Sequence, residues 1–398
     1  MIFFLTAFIQ IILLFAFLWA ALLTLVGLCR GKQINNTTAK PSCFAVVICA
    51  HNEAAVIAKL LNSLRQQQYP KEHYQVFLLA DHCTDGTAQA GRQFSELVVY
   101  ERNDGPRSGK GAVLQWGLAK IKKQYGNRFE HVVVFDADNI AAPNFLQKMN
   151  ETFAQGAKLV MGNRQALNPY ASVISGWYTL YWQTVDILYC KPRSNLGFSA
   201  ILSGTGFGFA WELLGEEGWQ TATITEDIEF SMQQNLKGIF AVYQEEAHFY
   251  DEQPTNITTL LSQLRRWCTG NYQIFSLYKK VWWQHFKEYP SIKLLDNFIP
   301  IGLCAVFGFY LLLSASWIIH NALQGIELFR WWDVLWWTGL YAISVGIGVW
   351  STYKGKFSMP RMLPSILTSG IYCIIFSLVA VFSIFFPVRS WKPIKHKG

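Results

Sequence analysis

Charge is scarce in this chain and unevenly spread. Asp, Glu, Lys and Arg make up 15% of its residues, against about 25% in an average globular protein. None of them occurs from Met1 to Cys29, from Asn297 to Gly325, from Val334 to Tyr353, or from Leu363 to Val388. Each of these runs can supply the roughly 20 apolar residues that cross a bilayer, which excludes a wholly soluble protein. Also missing is any C-x-x-C pair among the eight cysteines, which argues against structural zinc, and a cytoplasmic domain would keep its thiols reduced. No basic stripe or nucleic-acid-binding motif accompanies the net charge of +8, so that charge reads as membrane-flanking and phosphate-binding, with no nucleic acid as partner. Internal repeats and low-complexity segments are absent too.

The charge returns in residues 40–297, which read as a water-soluble domain beside a lipid bilayer. The first apolar run is expected to be a retained anchor, residues 1–29. No basic residue precedes it, its apolar core is too long for a signal peptide, and no A-x-A site closes it. Arg30, Lys32 and Lys40 follow it, Lys287 and Lys293 precede the second run, and Lys354, Lys356 and Arg361 lie between the third and fourth. The positive-inside rule therefore predicts a multi-pass protein of the cell membrane with its central domain in the cytoplasm. Arg389, Lys392, Lys395 and Lys397 in the tail, residues 389–398, disagree, because four spans leave that tail outside. Either the tail breaks the rule or one run among the roughly three expected in 297–388 is re-entrant or interfacial.

From Phe44 to about Tyr243, apolar runs of strand length alternate with helical stretches. Phe44–Cys49, Val76–Leu79, Leu97–Tyr100 and Val132–Phe135 read as buried strands, and Glu53–Gln67 as a helix with Val56, Ile57, Leu60, Leu61 and Leu64 on one face. Strands separated by helices imply a largely parallel sheet covered on both faces. Ligands bind such sheets at the carboxyl ends of the strands, where His51-Asn52-Glu53, Asp81 and Asp136-Ala137-Asp138 all fall. Two aromatic stretches, Tyr170–Tyr189 and Phe275–Tyr289, are expected either in the headgroup layer or against the soluble core, the second favouring the membrane because a span follows it.

Five groups of residues carry chemistry, each with a plainer alternative. Asp136 and Asp138 at a strand end can hold a hard divalent cation and leave room for phosphates, or simply form a turn. Asp81 is open to the same site or to helix capping. Arg107-Ser108-Gly109-Lys110-Gly111 is a turn or an anion-binding loop before a helix, without Walker spacing. Thr225-Glu226-Asp227 is an N-cap with acids in the first turn, or supplies a general base. Gln263-Leu264-Arg265-Arg266-Trp267 offers a guanidinium for a diphosphate and an indole for a sugar face, or anchors a helix at the headgroups.

Taken in order, Ala50-His51-Asn52-Glu53, Asp81 within Ala80–Thr87, Asp136-Ala137-Asp138, Thr225-Glu226-Asp227 and Gln263 with Arg266-Trp267 resemble the membrane-bound family-2 glycosyltransferases, the group of cellulose, chitin and hyaluronan synthases. The resemblance covers about residues 42–275. It implies a GT-A type α/β domain over 40–250, a Q-x-x-R-W and interfacial-helix region over 251–296, flanking transmembrane helices, and inverting transfer from a UDP-sugar. It implies that His51, Glu53, Asp81, Lys110, Asp136, Gln263 and Arg266 line the nucleotide-sugar site, and that Asp138, with Asp136, ligates Mn²⁺ or Mg²⁺. Asp227, beside Glu226, would be the base, and Trp267 with Ser203 and Gly204 would meet the acceptor. The expected product is a growing β-linked polysaccharide; the alternative is one or a few sugars on a membrane lipid. Two features depart from the pattern. Cys49 stands where many members have proline, and about three spans follow the domain, fewer than in cellulose synthases.

Overall fold

The computed structural model describes residues 2–31, 39–325 and 331–388. Lys32 and the basic residues of the tail lie outside them. The expected strands form as β1 (Phe44–Ala50), β2 (Tyr74–Asp81), β3 (Leu97–Arg102) and β4 (His131–Asp136), paired in parallel in the order β3-β2-β1-β4. Phe44 to Ile48 are buried without a break. Successive side chains point to opposite faces, so both faces of this half are covered.

Four further strands, β5 (Ile140–Ala141), β6 (Leu159–Ala166), β7 (Phe207–Ala210) and β8 (Val242–Asp251), complete a sheet ordered β3-β2-β1-β4-β7-β6-β8-β5. β7 runs antiparallel to β4 and β6, β6 runs parallel to β8, and β5 antiparallel to β8. The sheet is thus mixed, and only its first half is the parallel sheet expected. The second half escapes a search for apolar runs because polar residues and glycine interrupt β6 at Gly162-Asn163-Arg164 and β8 at Gln244-Glu245-Glu246.

The helices are α1 (Ile2–Arg30), α2 (Ile57–Arg65), α3 (Thr87–Arg92), α4 (Lys110–Tyr125), α5 (Phe145–Ala154), α6 (Val173–Thr184), α7 (Lys191–Asn195), α8 (Glu226–Leu236), α9 (Ile257–Glu288), α10 (Ile292–Gln324), α11 (Trp331–Lys354), α12 (Met359–Leu367) and α13 (Ser369–Phe385). α2 starts later than its sequence pattern. Glu53 closes a turn instead, its carbonyl accepting from the N–H groups of Val56 and Ile57 at 3.1 and 3.0 Å. A π-helical turn, Val185–Cys190, joins α6 to α7. The aromatic stretch on α6 is packed between α9 and the C-terminal helices: Trp177, Tyr178 and Trp182 cluster with Leu260, Leu264 and Tyr372, and Leu180 with Met362 and Ile366. The second aromatic stretch is the far end of α9. Its inner side buries Ile274 and Trp282, while Phe275, Leu277, Val281 and Trp283 are exposed.

Among the described residues three helices are long and apolar enough to cross a membrane: Phe4–Arg30, Ile292–Gln324 and Asp333–Lys354. The fourth apolar run is broken, with α12 and α13 meeting at a 45° bend. A buried joint ties the apolar helices to the sheet domain. The Arg193 guanidinium on α7 donates to both oxygens of Asp296 on α10 at 2.7 and 3.0 Å, and Trp19 Nε1 on α1 donates to Asp296 at 2.8 Å.

Candidate active site

The carboxyl ends of β1, β2 and β4 form one floor. After β1, His51 Nδ1 lies 2.7 Å from the Asp81 carbonyl, and the Asn52 side chain accepts from the Thr84 N–H at 2.7 Å. Asn52 and His82 follow β1 and β2 with φ of 57° and 48°, a left-handed conformation uncommon for non-glycine residues and concentrated at functional sites. Asp81 does not cap a helix. It is buried at the end of β2, where Arg102 Nη1 donates to it at 2.8 Å and His82 Nδ1 sits 2.9 Å away. Asp85 instead closes the turn before α3, accepting from the Thr87 N–H at 2.9 Å, and ties it to the segment after β1 by accepting from the Ala54 N–H at 3.1 Å. Burial, then the charges of Asp136 and Asp85, push the Glu53 carboxyl up to about 7.

Beyond β4 the acids crowd. Burial first, then Asp136, Asp251 and Glu53 drive the Asp138 carboxyl well above its usual range, while Arg164 opposes them. Lys110, at the start of α4, spans the cleft, donating to Asp136 and, at 2.6 Å, to the carbonyl of Gly204. Burial pulls the Lys110 ammonium down, but Asp136 and Glu226 outweigh it and hold it above its ordinary value. Among the described residues no three His, Cys, Asp or Glu side chains form a ready ligand set. The oxygen donors still fit a hard divalent cation: the Asp136 side chain is 43% exposed, and the like charge raising Asp138 is what a bound cation would relieve.

The second wall comes from α8 and α9. Gly204 has φ of 82°, and a methyl built on it would stand 3.7 Å from an Asp227 carboxylate oxygen. Lys110 thereby links the floor to Asp227. Glu226 and Asp227 are both buried. Desolvation raises both carboxyls, further for Glu226 through the charge of Asp227, and Lys110 and Arg266 offset it. Thr225 holds the N-cap position of α8, with Glu226 and Asp227 in the first turn and its carbonyl accepting from the Glu229 N–H at 3.1 Å, but its Oγ1 caps nothing and is buried without a hydrogen-bond partner. Gln263, Arg266 and Trp267 lie one turn apart on α9 and share a face, and the Gln263 Oε1 is likewise buried without a partner. Ser203 contributes its carbonyl, which accepts from Arg164 Nη1 at 3.2 Å, while its hydroxyl lies 3.7 Å from the Met161 sulfur.

Trp267 stands in an aromatic bed. Its ring lies 5.8, 6.0 and 5.5 Å from those of Tyr178, Tyr181 and Trp182 on α6, and 6.5 Å from Phe376 on α13. Tyr372 of α13 touches Tyr178 and Tyr181 at 5.9 and 5.8 Å. The Tyr178 and Tyr372 hydroxyls and the Trp182 indole N–H are buried with no hydrogen-bond partner, which costs about 1–3 kcal/mol for each such group.

Several contributors escape a reading of the sequence. Arg102 ends β3 at the same edge as Asp81, a position a strand-end search finds. Arg164 and Asp251 give no such signal; they meet across β6 and β8, with Arg164 Nε donating to Asp251 at 3.0 Å and its guanidinium 4.1 Å from the Trp182 ring centre.

Comparison with known proteins agrees with this arrangement. A family profile described as "Glycosyltransferase like family 2" matches residues 41–270. A beta-monoglucosyldiacylglycerol synthase from Nostoc is 28% identical over 241 residues, 58% of this chain and 49% of that protein. A poly-beta-1,6-N-acetyl-D-glucosamine synthase from Staphylococcus epidermidis is 25% identical over 232 residues, 57% of this chain and 54% of that protein. The chain thus spans about half the length of these curated relatives. Among solved structures, a mannosyltransferase from Pyrobaculum calidifontis, held with GDP-Man and Mn²⁺, superposes with a TM-score of 0.63 at 16% identity, over 93% of this chain and 99% of that one. The sheet domain therefore has the GT-A-like α/β fold, with helices long and apolar enough to span a membrane beside it, and the chain belongs to the family-2 glycosyltransferases.

Proposed function

We propose that this protein is an inverting glycosyltransferase that moves a sugar from a nucleoside-diphospho-sugar, UDP-linked by the sequence resemblance, onto a hydroxyl of a membrane lipid. The carrying observation is the bed around Trp267, which the C-terminal apolar helix α13 helps to build through Tyr372 and Phe376. An acceptor resting there is within reach of the bilayer. The likeness to a monoglucosyldiacylglycerol synthase supports the same reading. A second reading, extension of a β-linked polysaccharide, is supported by the likeness to a poly-N-acetylglucosamine synthase and uses the same stacking surface.

In this reading His51, Glu53 and Asp81 receive the nucleotide, and Asp136, Lys110, Gln263 and Arg266 the diphosphate. Asp227 takes the proton from the acceptor hydroxyl, and the oxygen attacks the anomeric carbon from the face opposite the nucleotide. The carbon–oxygen bond to the diphosphate breaks with its electron pair leaving on the nucleotide. Lys110 and Arg266 neutralise the charge that grows there. Asp138 and Asp136 would hold Mn²⁺ or Mg²⁺, which would supply Lewis-acid stabilisation of the leaving diphosphate. Glu226 holds the acidic pair against Lys110, and Trp267, Ser203 and Gly204 border the acceptor. Arg30, Lys293, Lys354 and Arg361 flank the apolar helices, and by the positive-inside rule they support a cytoplasmic domain. The exposed Leu277, Val281 and Trp283 of α9 lie in the headgroup layer beside Lys279, Lys280 and Lys287.

The test is a screen of radiolabelled UDP- and GDP-sugars with membranes holding the full chain. Label in an organic extract as a product of one or a few sugars supports the lipid acceptor. Aqueous, high-molecular-weight label supports the polymer, and loss of both without nucleotide release would overturn the transferase reading.

A further inference from the structure

The segment leading into Asp227 has a support that the reaction itself does not require. Residues 219–225 lead into α8 without regular structure, yet the N–H groups of Ala222, Thr223 and Ile224 are all taken up by side chains of α8 and α9. The Glu229 carboxylate, buried on α8, accepts from the N–H groups of Ala222 and Thr223 at 2.9 and 2.7 Å with one oxygen and from the Tyr278 hydroxyl at 3.0 Å with the other. Gln233 donates to Tyr278 at 2.8 Å and to the Gln220 carbonyl at 2.7 Å. The next N–H, of Ile224, donates to Gln273 Oε1 at 3.0 Å. Thr225 lies against Gly270, where a Cβ would come within 2.3 Å of the threonine Oγ1.

Gln273, Tyr278 and Gly270 all belong to α9, the helix that carries Gln263, Arg266 and Trp267. Gln263, Arg266, Gly270 and Gln273 recur at intervals of three and four residues, so they line one side of that helix. Tyr278 and Gln273 thus hold, from one rigid rod, the loop that presents Asp227 to the diphosphate and acceptor groups of the same rod. We infer that Gln273 and Glu229, with Tyr278, are positioning residues: they lock the 219–225 segment to α9 and so fix the distance between the base and the Arg266–Trp267 pair. This inference rests on the reading of Asp227 as the general base.

Orientation errors near 1 Å cost about 10²-fold in rate. A Gln273→Leu variant loses the acceptor for Ile224 and is expected to lower kcat about 10²-fold, with KM for the donor and UDP affinity unchanged. Gln273→Glu keeps an oxygen acceptor at that place and should recover most of the rate. Gly270→Ala, whose added methyl presses on the Thr225 side chain while leaving the Gln273 and Glu229 hydrogen bonds in place, should reproduce the loss in kcat. Purified full-length protein in one detergent suits all three, alongside Asp227→Asn and the Asp227→Asn/Gln273→Leu double variant. If the two residues act through one step, the double variant is no slower than Asp227→Asn alone. Unchanged kcat in Gln273→Leu, or a parallel loss of UDP affinity and melting temperature with no rescue by Gln273→Glu, overturns the positioning role. Normal turnover in Asp227→Asn overturns the base assignment instead, and it does so whichever way Gln273→Leu behaves.

Discussion

The two halves of the sheet are built differently and hold different parts of the site. β3-β2-β1-β4 is parallel, its strands are continuous apolar runs, and its acids sit at strand ends a few residues from the helices that follow. β7-β6-β8-β5 is mixed, and it meets the cleft through a long-range pair, Arg164 with Asp251, and through loops held by α8 and α9. The first half presents fixed carboxylates, the arrangement a nucleotide and a cation need. The second, with α6, α9 and α13, presents aromatic rings and a buried acidic pair. Under the proposed function this difference becomes a division of labour, in which the parallel half would receive the donor and a surface shared with the apolar helices would receive the acceptor.

The largest effect that sharpens this division falls on Asp227. Asp227→Asn is expected to slow transfer by about 10²–10⁴ while UDP titrates as in the wild type; lost UDP affinity would move Asp227 to the donor side. Next is the donor floor itself. Arg102→Leu leaves the buried Asp81 carboxylate with only the His82 ring beside it, and breaking a buried pair costs about 3–5 kcal/mol. A markedly lower melting temperature with weaker UDP binding is expected, whereas a variant as stable as the parent would show that the pair is not needed. Trp267→Ala should reduce transfer about 10²-fold through lost orientation, with Trp267→Phe recovering part of it. If both variants transfer normally and only melt earlier, the ring is an anchor and not an acceptor surface.

The smallest effect is a pH dependence. Burial raises Glu53 from 4.5 to about 7, so between those values the folded protein binds a proton that the unfolded chain has released. Its contribution to stability is present below the lower value and is lost as pH rises through about 7. Melting of the ligand-free protein should therefore weaken between about pH 5 and pH 8, and Glu53→Gln should flatten that slope. An equal slope in the variant would assign the dependence to other acids.

The same division explains what can be read from the chain alone. Asp81, Asp136 and Asp138 are legible because a parallel strand announces itself as an apolar run and its functional residue follows at once. Thr225-Glu226-Asp227 and Gln263 to Trp267 are legible only as motifs; nothing local says that Gly270 abuts Thr225 or that Gln273 caps Ile224. β6 and β8 are hidden by the polar residues that make them useful, and Tyr372 gives no sign of its contacts with Tyr178 and Tyr181 because it lies within an apolar run. Local physics writes the parallel half, and long-range packing writes the mixed half.

The most direct measurement is calorimetric titration of UDP, with Mn²⁺ present, into Asp136→Asn and Trp267→Ala in the same detergent. The account expects UDP affinity to fall at least about tenfold in Asp136→Asn, the loss of roughly 1.4 kcal/mol, and to stay at the wild-type value in Trp267→Ala. Equal losses in the two variants, or a loss confined to Trp267→Ala, would contradict the division between donor and acceptor halves.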